Sequence, residues 1–140
     1  ISLGEEVLGK PAGLADAEFM LRRMAGKTHK IFTAVALVGS GPEPCEVQVA
    51  RVSVTMKPLN EEALSAYLRT GDSLGKAGAY SIQGGGAALI ERIEGDYTAV
   101  VGLPLRTVDD MLSRRGMPCP VDVDQLYTHK PYPNWARFNS

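Results

Sequence analysis

A run of small residues around one lysine, Gly75-Lys76-Ala77-Gly78-Ala79-Tyr80-Ser81-Ile82-Gln83, followed by Gly84-Gly85-Gly86, gathers the groups in this chain best suited to hold a ligand. Glycines let backbone amides come close to an anion, and a lysine ammonium is a compact charge for phosphate oxygens. The spacing is neither Gly-x-x-x-x-Gly-Lys-Thr nor Gly-x-Gly-x-x-Gly after a strand, so the pattern alone suits a flexible connection equally. Lys10 sits between Gly9 and Pro11, where the proline keeps it extended and stiff. His29 precedes a buried strand, a place where a histidine is more readily a satisfied structural group than a base. His129 lies in a proline-rich stretch and is given no role. The adjacent carboxylates Glu5-Glu6 and Glu61-Glu62 fall on a turn and a helix start, where solvent or the helix dipole accounts for them. No metal ligand is assigned.

The elements that must carry these residues follow from periodicity. Asp16 is expected to cap a helix through Ala17 to Met24, with Phe19, Met20 and Met24 on its apolar face and Gly26 ending it. Ile31 to Val38 reads as a central strand buried on both faces. In Val47 to Lys57, Ala50, Val52, Val54 and Met56 alternate with Arg51, Ser53, Thr55 and Lys57, the mark of a half-exposed strand that can pair antiparallel with the first. Asn60 caps a helix with Glu61 and Glu62 in its first turn, Leu64, Tyr67 and Leu68 on one face, and Gly71 as its stop. Beyond the glycine-rich loop, Ala87 to Glu94 and Tyr97 to Leu103 are expected to form a hairpin across Glu94-Gly95-Asp96. Thr107 and Asp110 then resemble a capping box for a helix running to Arg115, closed by Gly116. From Met117 the periodicity is lost among prolines and scattered aromatics, Tyr127, Tyr132, Trp135 and Phe138, a tail that either wraps the domain or stays partly unordered. Strands and helices are intermixed, so the class is α/β, or α+β around a mixed sheet flanked by helices. Residues 1–116 make one domain and 117–140 a tail of unassigned role.

Composition narrows the function classes. With 44% hydrophobic and 22% charged residues in 140, the chain is an ordinary globular domain. A formal net charge of −1 provides no basic field for tracking nucleic acid, so any phosphorylated ligand needs a local site. The longest apolar run is far short of a bilayer span and no basic-apolar leader opens the sequence, which points to a cytoplasmic protein without a membrane partner. Cys45 and Cys119 are not in a Cys-x-x-Cys arrangement and read as free thiols.

The string Lys76-Ala77-Gly78-Ala79-Tyr80-Ser81-Ile82-Gln83-Gly84 resembles the signature of the Maf family of nucleoside-triphosphate pyrophosphatases. Val7-Leu8-Gly9-Lys10-Pro11, Gly26-Lys27-Thr28-His29, Val52 through Leu59, and Gly102-Leu103-Pro104-Leu105 match it as well, in order from Ile1 to about Leu112. The resemblance implies a fold related to the inosine-triphosphate pyrophosphatases. It also implies cleavage of a nucleoside triphosphate into monophosphate and pyrophosphate with a divalent metal, Mg²⁺ in the first place and Mn²⁺ as substitute. On that resemblance Lys10 takes the catalytic role of offsetting triphosphate charge. Lys76 either does similar phosphate work or holds the loop, and Gly84 belongs to the substrate site. Gln83 resembles the glutamine of the branch that prefers dTTP and UTP, its amide able to pair with the imide edge of uracil or thymine. The alternative for Gln83 is a tie to the loop's own backbone.

The family's arginine-bearing phosphate loop, its metal-binding glutamate and the aspartate expected to act as base match nothing in this sequence. Ile1 to Leu3 resembles the end of the strand that carries that aspartate, placing the base a few residues upstream of residue 1 and leaving the fold without its N-terminal strands. A non-catalytic nucleotide-binding or septum-formation-related module, or an inactive fragment, therefore stands as the alternative. A homodimer is what the resemblance would add.

Overall fold

The structure, a computed structural model, describes residues 1–138. Its sheet has five strands: β1 (Ser2–Leu3), β2 (Glu6–Val7), β3 (Thr28–Val38), β4 (Pro44–Met56) and β5 (Ile90–Glu94), in the order β2-β1-β3-β4-β5 with antiparallel pairings. The expected antiparallel pairing of the two long strands is its backbone, running from Thr28 opposite Thr55 to Val38 opposite Pro44. Helices α1 (Leu14–Met24), α2 (Glu61–Arg69), α3 (Tyr97–Val101), α4 (Leu105–Ser113) and α5 (Val123–His129) complete the mixed α/β fold. Among the described residues, no helix is long and apolar enough to cross a membrane.

The core lies where helices cover the inner face of the hairpin. Val52, Val54 and Met56 of β4 point into it as the alternation required, meeting Leu21 and Met24 of α1, Leu64 and Tyr67 of α2, and Ile90 and Ile93 of β5. The α2 cap forms as expected, the Asn60 side chain accepting from the Ala63 amide at 2.8 Å. The outer face of the hairpin has no such cover among the described residues. Phe32 is 48% exposed, and Val38, Val47 and Val49 are exposed on the same side, so β3 is central in order but not buried on both faces.

Three further expectations are corrected. Helix α1 begins at Leu14, one turn early, after Gly13, and Asp16 is no cap: its carboxylate reaches back to accept from the Ala12 amide at 2.8 Å. The expected second hairpin does not form, because only Ile90–Glu94 is a strand and Tyr97–Val101 is helical. There Asp96 caps the helix by accepting from both the Thr98 amide and the Thr98 hydroxyl at 2.8 Å, a local bond that outweighs the β propensity of Tyr-Thr-Ala-Val-Val. Thr107 and Asp110 lie inside α4, which starts at Leu105; the Leu105 amide donates to Thr98 Oγ1 at 3.0 Å, so the capping group comes from α3.

After Gly116 the chain folds back onto the sheet. Trp135 and Phe138 are buried in the same core as Tyr97, and Trp135 stacks between Tyr97 (ring centroids 5.3 Å apart) and Tyr132 (5.6 Å), with Tyr127 edge-on at 4.9 Å.

Candidate functional site

The glycine-rich segment packs between α1, α2 and the returning C-terminal residues, and protein acceptors take many of its polar groups. The Gly78 amide donates to Gly9 O at 3.0 Å, which lays the segment bearing Lys10 beside the loop. Gly78 has φ +72, and a Cβ there would stand 2.7 Å from the Ile1 side chain. Ala79 follows at φ +64, an uncommon conformation for a residue with a side chain, held by complete burial. The Ser81 amide donates to the Tyr67 hydroxyl at 3.0 Å, and the Gly85 amide to Asp72 Oδ2 at 3.0 Å. The Gly84 amide reaches Ser81 O at 3.2 Å. The amides of Gly78, Gly84 and Gly85 thus serve the loop's own fold instead of forming the anion cradle that the glycine pattern suggests.

The side chains remain available. Lys76 and Gln83 are exposed and line one cavity of about 90 Å³ with Tyr80, Ser81, Ile82, Val100 and Val101. Lys76 also borders a cavity of about 300 Å³ toward Ile1, Phe32 and Thr33, and Gln83 one of about 210 Å³ toward Thr98, Leu103 and Tyr132. The three lie side by side at α3, sharing Val101 in their linings, with the Lys76 ammonium bordering two of them, the Gln83 carboxamide two, and Val100 two; together they are called the cleft. Lys10 is exposed and does not line the Lys76–Gln83 cavity, although the carbonyl of its neighbour Gly9 accepts from the loop's Gly78 amide. Gly84 contributes a lack of side chain, since a Cβ there would stand 2.4 Å from the Asp72 carboxylate.

Among the described residues, no carboxylate or imidazole lines any of the three cavities. Among the described residues, moreover, no three His, Cys, Asp or Glu side chains converge to hold a metal, so these residues do not fit a metal centre and no step is assigned to one. His29 is fully buried with its Nε2 hydrogen-bonded to the Tyr80 hydroxyl at 2.8 Å, a structural placement as its sequence position suggests, but only one of its two ring nitrogens is satisfied among the described residues. Burial lowers its pKa from 6.5 to about 4, while burial raises the Tyr67 phenol to about 12 and the Tyr80 phenol still further. A second proton on the ring would also lack an acceptor, because Nδ1 has no partner among the described residues.

That shift sets a pH dependence. The unfolded histidine takes up a proton near pH 6.5 while the folded one stays neutral down to about 4. Its contribution to stability is therefore complete above 6.5, declines as the pH falls, and is gone below about 4. Urea midpoints measured from neutral pH downward will fall across this window, and the His29→Gln chain will lack that component; identical pH profiles for the two chains would remove His29 as its source.

A family profile described as Maf-like protein matches residues 1–115, the stretch that holds Lys10, the loop and Val101. The chain belongs to the Maf family. Curated relatives agree. The dTTP/UTP pyrophosphatase of Symbiobacterium thermophilum is 49% identical over 113 residues, 81% of this chain and 57% of that protein. Those of Dictyoglomus thermophilum and Myxococcus xanthus are each 43% identical, over 79% and 86% of this chain and 58% and 60% of theirs. The chain thus spans somewhat over half the length of the relatives it matches.

Within this Maf fold, sequence reasoning missed Asp72, Tyr132 and Asn134. Asp72 accepts from the Gly85 amide, Tyr132 walls the cavity beside Gln83, and the Asn134 amide donates to the carbonyls on either side of Gln83. Asp72 lies next to Gly71 and reads as a turn residue, and the two tail residues fall outside the family match, so none carried a local signal.

Proposed function

We propose that this chain is the nucleotide-recognising part of a nucleoside-triphosphate pyrophosphatase that takes dTTP and UTP, including modified pyrimidine triphosphates, and releases the monophosphate and pyrophosphate. The observation that carries the reading is the shared cavity of Lys76 and Gln83, a cation and a carboxamide facing one small cleft. The activity for which the relatives are named, dTTP/UTP pyrophosphatase, supplies the substrate class. The Gln83 amide donates to and accepts from the imide edge of the base, while Lys76, with Lys10 on the neighbouring segment, offsets phosphate charge. In the reaction, water attacks the α-phosphorus and the bond to the β-phosphate oxygen breaks, pyrophosphate leaving. A divalent cation, Mg²⁺ or Mn²⁺ in its place, would offset triphosphate charge in such chemistry, and none of the described residues is assigned to hold it. The free thiols of Cys45 and Cys119 suit a reducing, cytoplasmic setting.

A second reading, nucleotide binding without turnover, is favoured by the lining of these cavities, which among the described residues includes no carboxylate or imidazole. One pair of measurements separates the two: pyrophosphate release from dTTP and UTP with Mg²⁺, and calorimetric titration with a non-hydrolysable UTP analogue. Release supports the first reading, saturable binding without release the second, and neither result would sink both. Gln83→Ala should weaken UTP-analogue binding about tenfold, the worth of one or two hydrogen bonds, with thermal stability unchanged because the side chain is exposed. Unchanged affinity would leave Gln83 without a part in recognition.

A further inference from the structure

The residues after the family match supply one wall of the cleft and the support for its recognition residue. Asn134 Nδ2 carries two hydrogens, and they go to Ile82 O at 3.0 Å and Gly84 O at 3.2 Å, the carbonyls immediately before and after Gln83. Asn134 sits at φ +64, a left-handed conformation that asparagine tolerates better than most residues with side chains. Its neighbours are fixed independently of the loop: Trp135 is buried between Tyr97 and Tyr132, and the Tyr97 hydroxyl donates to Pro133 O at 2.5 Å. Tyr132, 38% exposed, presents its ring to the 210 Å³ cavity that Gln83 also lines.

A carboxamide reads a base edge only as well as its frame is held. Turned by 180°, a glutamine amide exchanges donor and acceptor and pairs with cytosine as readily as with uracil, so discrimination requires something that fixes the residue carrying it. The Gln83 side chain is exposed, and the backbone beside it is tied by the Ile82 and Gly84 carbonyls to Asn134 and by the Gly84 amide to Ser81 O. We infer that Asn134 is a positioning residue for pyrimidine selection: by clamping the backbone on both sides of Gln83 against the aromatic C-terminal segment, it sets which way the amide presents its donor and acceptor, with the Tyr132 ring as the flat wall for the base. The inference rests on the proposed role of Gln83.

The test compares the unaltered chain with Asn134→Gly, which keeps the positive φ and removes the amide, Asn134→Asp, which keeps the size but turns two acceptors onto the two carbonyls, and Gln83→Ala. Amide hydrogen exchange at Gly84 to Ala87, read by NMR, reports the clamp. The ratio of affinities for non-hydrolysable UTP and CTP analogues reports selection. Both Asn134 variants should speed exchange and lower the preference for UTP, each by about tenfold, with the affinity for the CTP analogue little changed. If Asn134→Gly does not fold, Asn134→Asp is read in the same way. Unchanged exchange, or faster exchange with an unchanged preference, overturns the inference while Gln83 keeps its role, provided Gln83→Ala still lowers the preference. If Gln83→Ala leaves the preference intact, the reading of Gln83 fails and the positioning role falls with it.

Discussion

Trp135→Ala will lower the unfolding free energy by about 3–5 kcal/mol, the usual cost of emptying a buried indole site. The side chain is completely buried, stacked on Tyr97 at an interplanar angle of 12° and on Tyr132 at 6°, with Tyr127 meeting it edge-on. Three aromatic rings would face the cavity left behind. Two of them cannot collapse into it easily, because Tyr97 is tied by its hydroxyl to Pro133 O and Tyr127 by its hydroxyl to the Asp96 carboxylate. For a domain of this size the thermal midpoint should drop by roughly 10–20 °C. Urea and thermal melts check this directly, and a loss below about 1 kcal/mol would mean that the C-terminal segment is not part of the cooperative core.

Gly86→Ala is the second large effect. A Cβ at this position would stand 2.5 Å from Ser81 O and 2.8 Å from Ser81 N, backbone atoms with no torsion free to swing aside. Ser81 is itself fixed, its amide donating to the Tyr67 hydroxyl and its carbonyl accepting from the Gly84 amide. The loop must open to admit the methyl group, at a cost of about 2–4 kcal/mol and with loss of the bonds that shape the cleft. Gly84→Ala makes a contact as short, 2.4 Å, but with the end of the Asp72 side chain, which can turn away by giving up its bond to the Gly85 amide. Its cost should be about 1 kcal/mol. Denaturant melts of the two variants should therefore differ in that order; equal effects would contradict the packing of Gly86 against Ser81.

The long elements were legible because their signals are local and repeated. Alternation in Ala50-Arg51-Val52-Ser53-Val54-Thr55-Met56 named the strand and its inner face, and Asn60 named the start of α2. Tyr97 to Val101 misled because β-branched residues dominate a segment whose helical turn is decided by one carboxylate, Asp96, and by the packing of Tyr97 against Trp135. The same limit governs the site. Lys76 and Gln83 could be picked out together because one continuous string carries both. The amides committed to Gly9, Asp72 and Ser81, and the clamp from Asn134, depend on tertiary neighbours that periodicity does not encode. Lys10 illustrates the converse, for its motif is clear in the sequence while its side chain stands outside the Lys76–Gln83 cavity.

The separation along the chain between Asn134 and its two acceptors, 52 and 50 residues, orders the events of folding. The β3–β4 hairpin closes across the short turn that follows Val38, so little chain entropy is lost before its ladder begins to compensate. The bonds beside Gln83 demand that half a hundred intervening residues be threaded first. A chain arrested before that step would own a finished sheet and an unfinished binding cleft, so the time to reach native secondary structure is the wrong clock for the time to become competent to recognise a ligand.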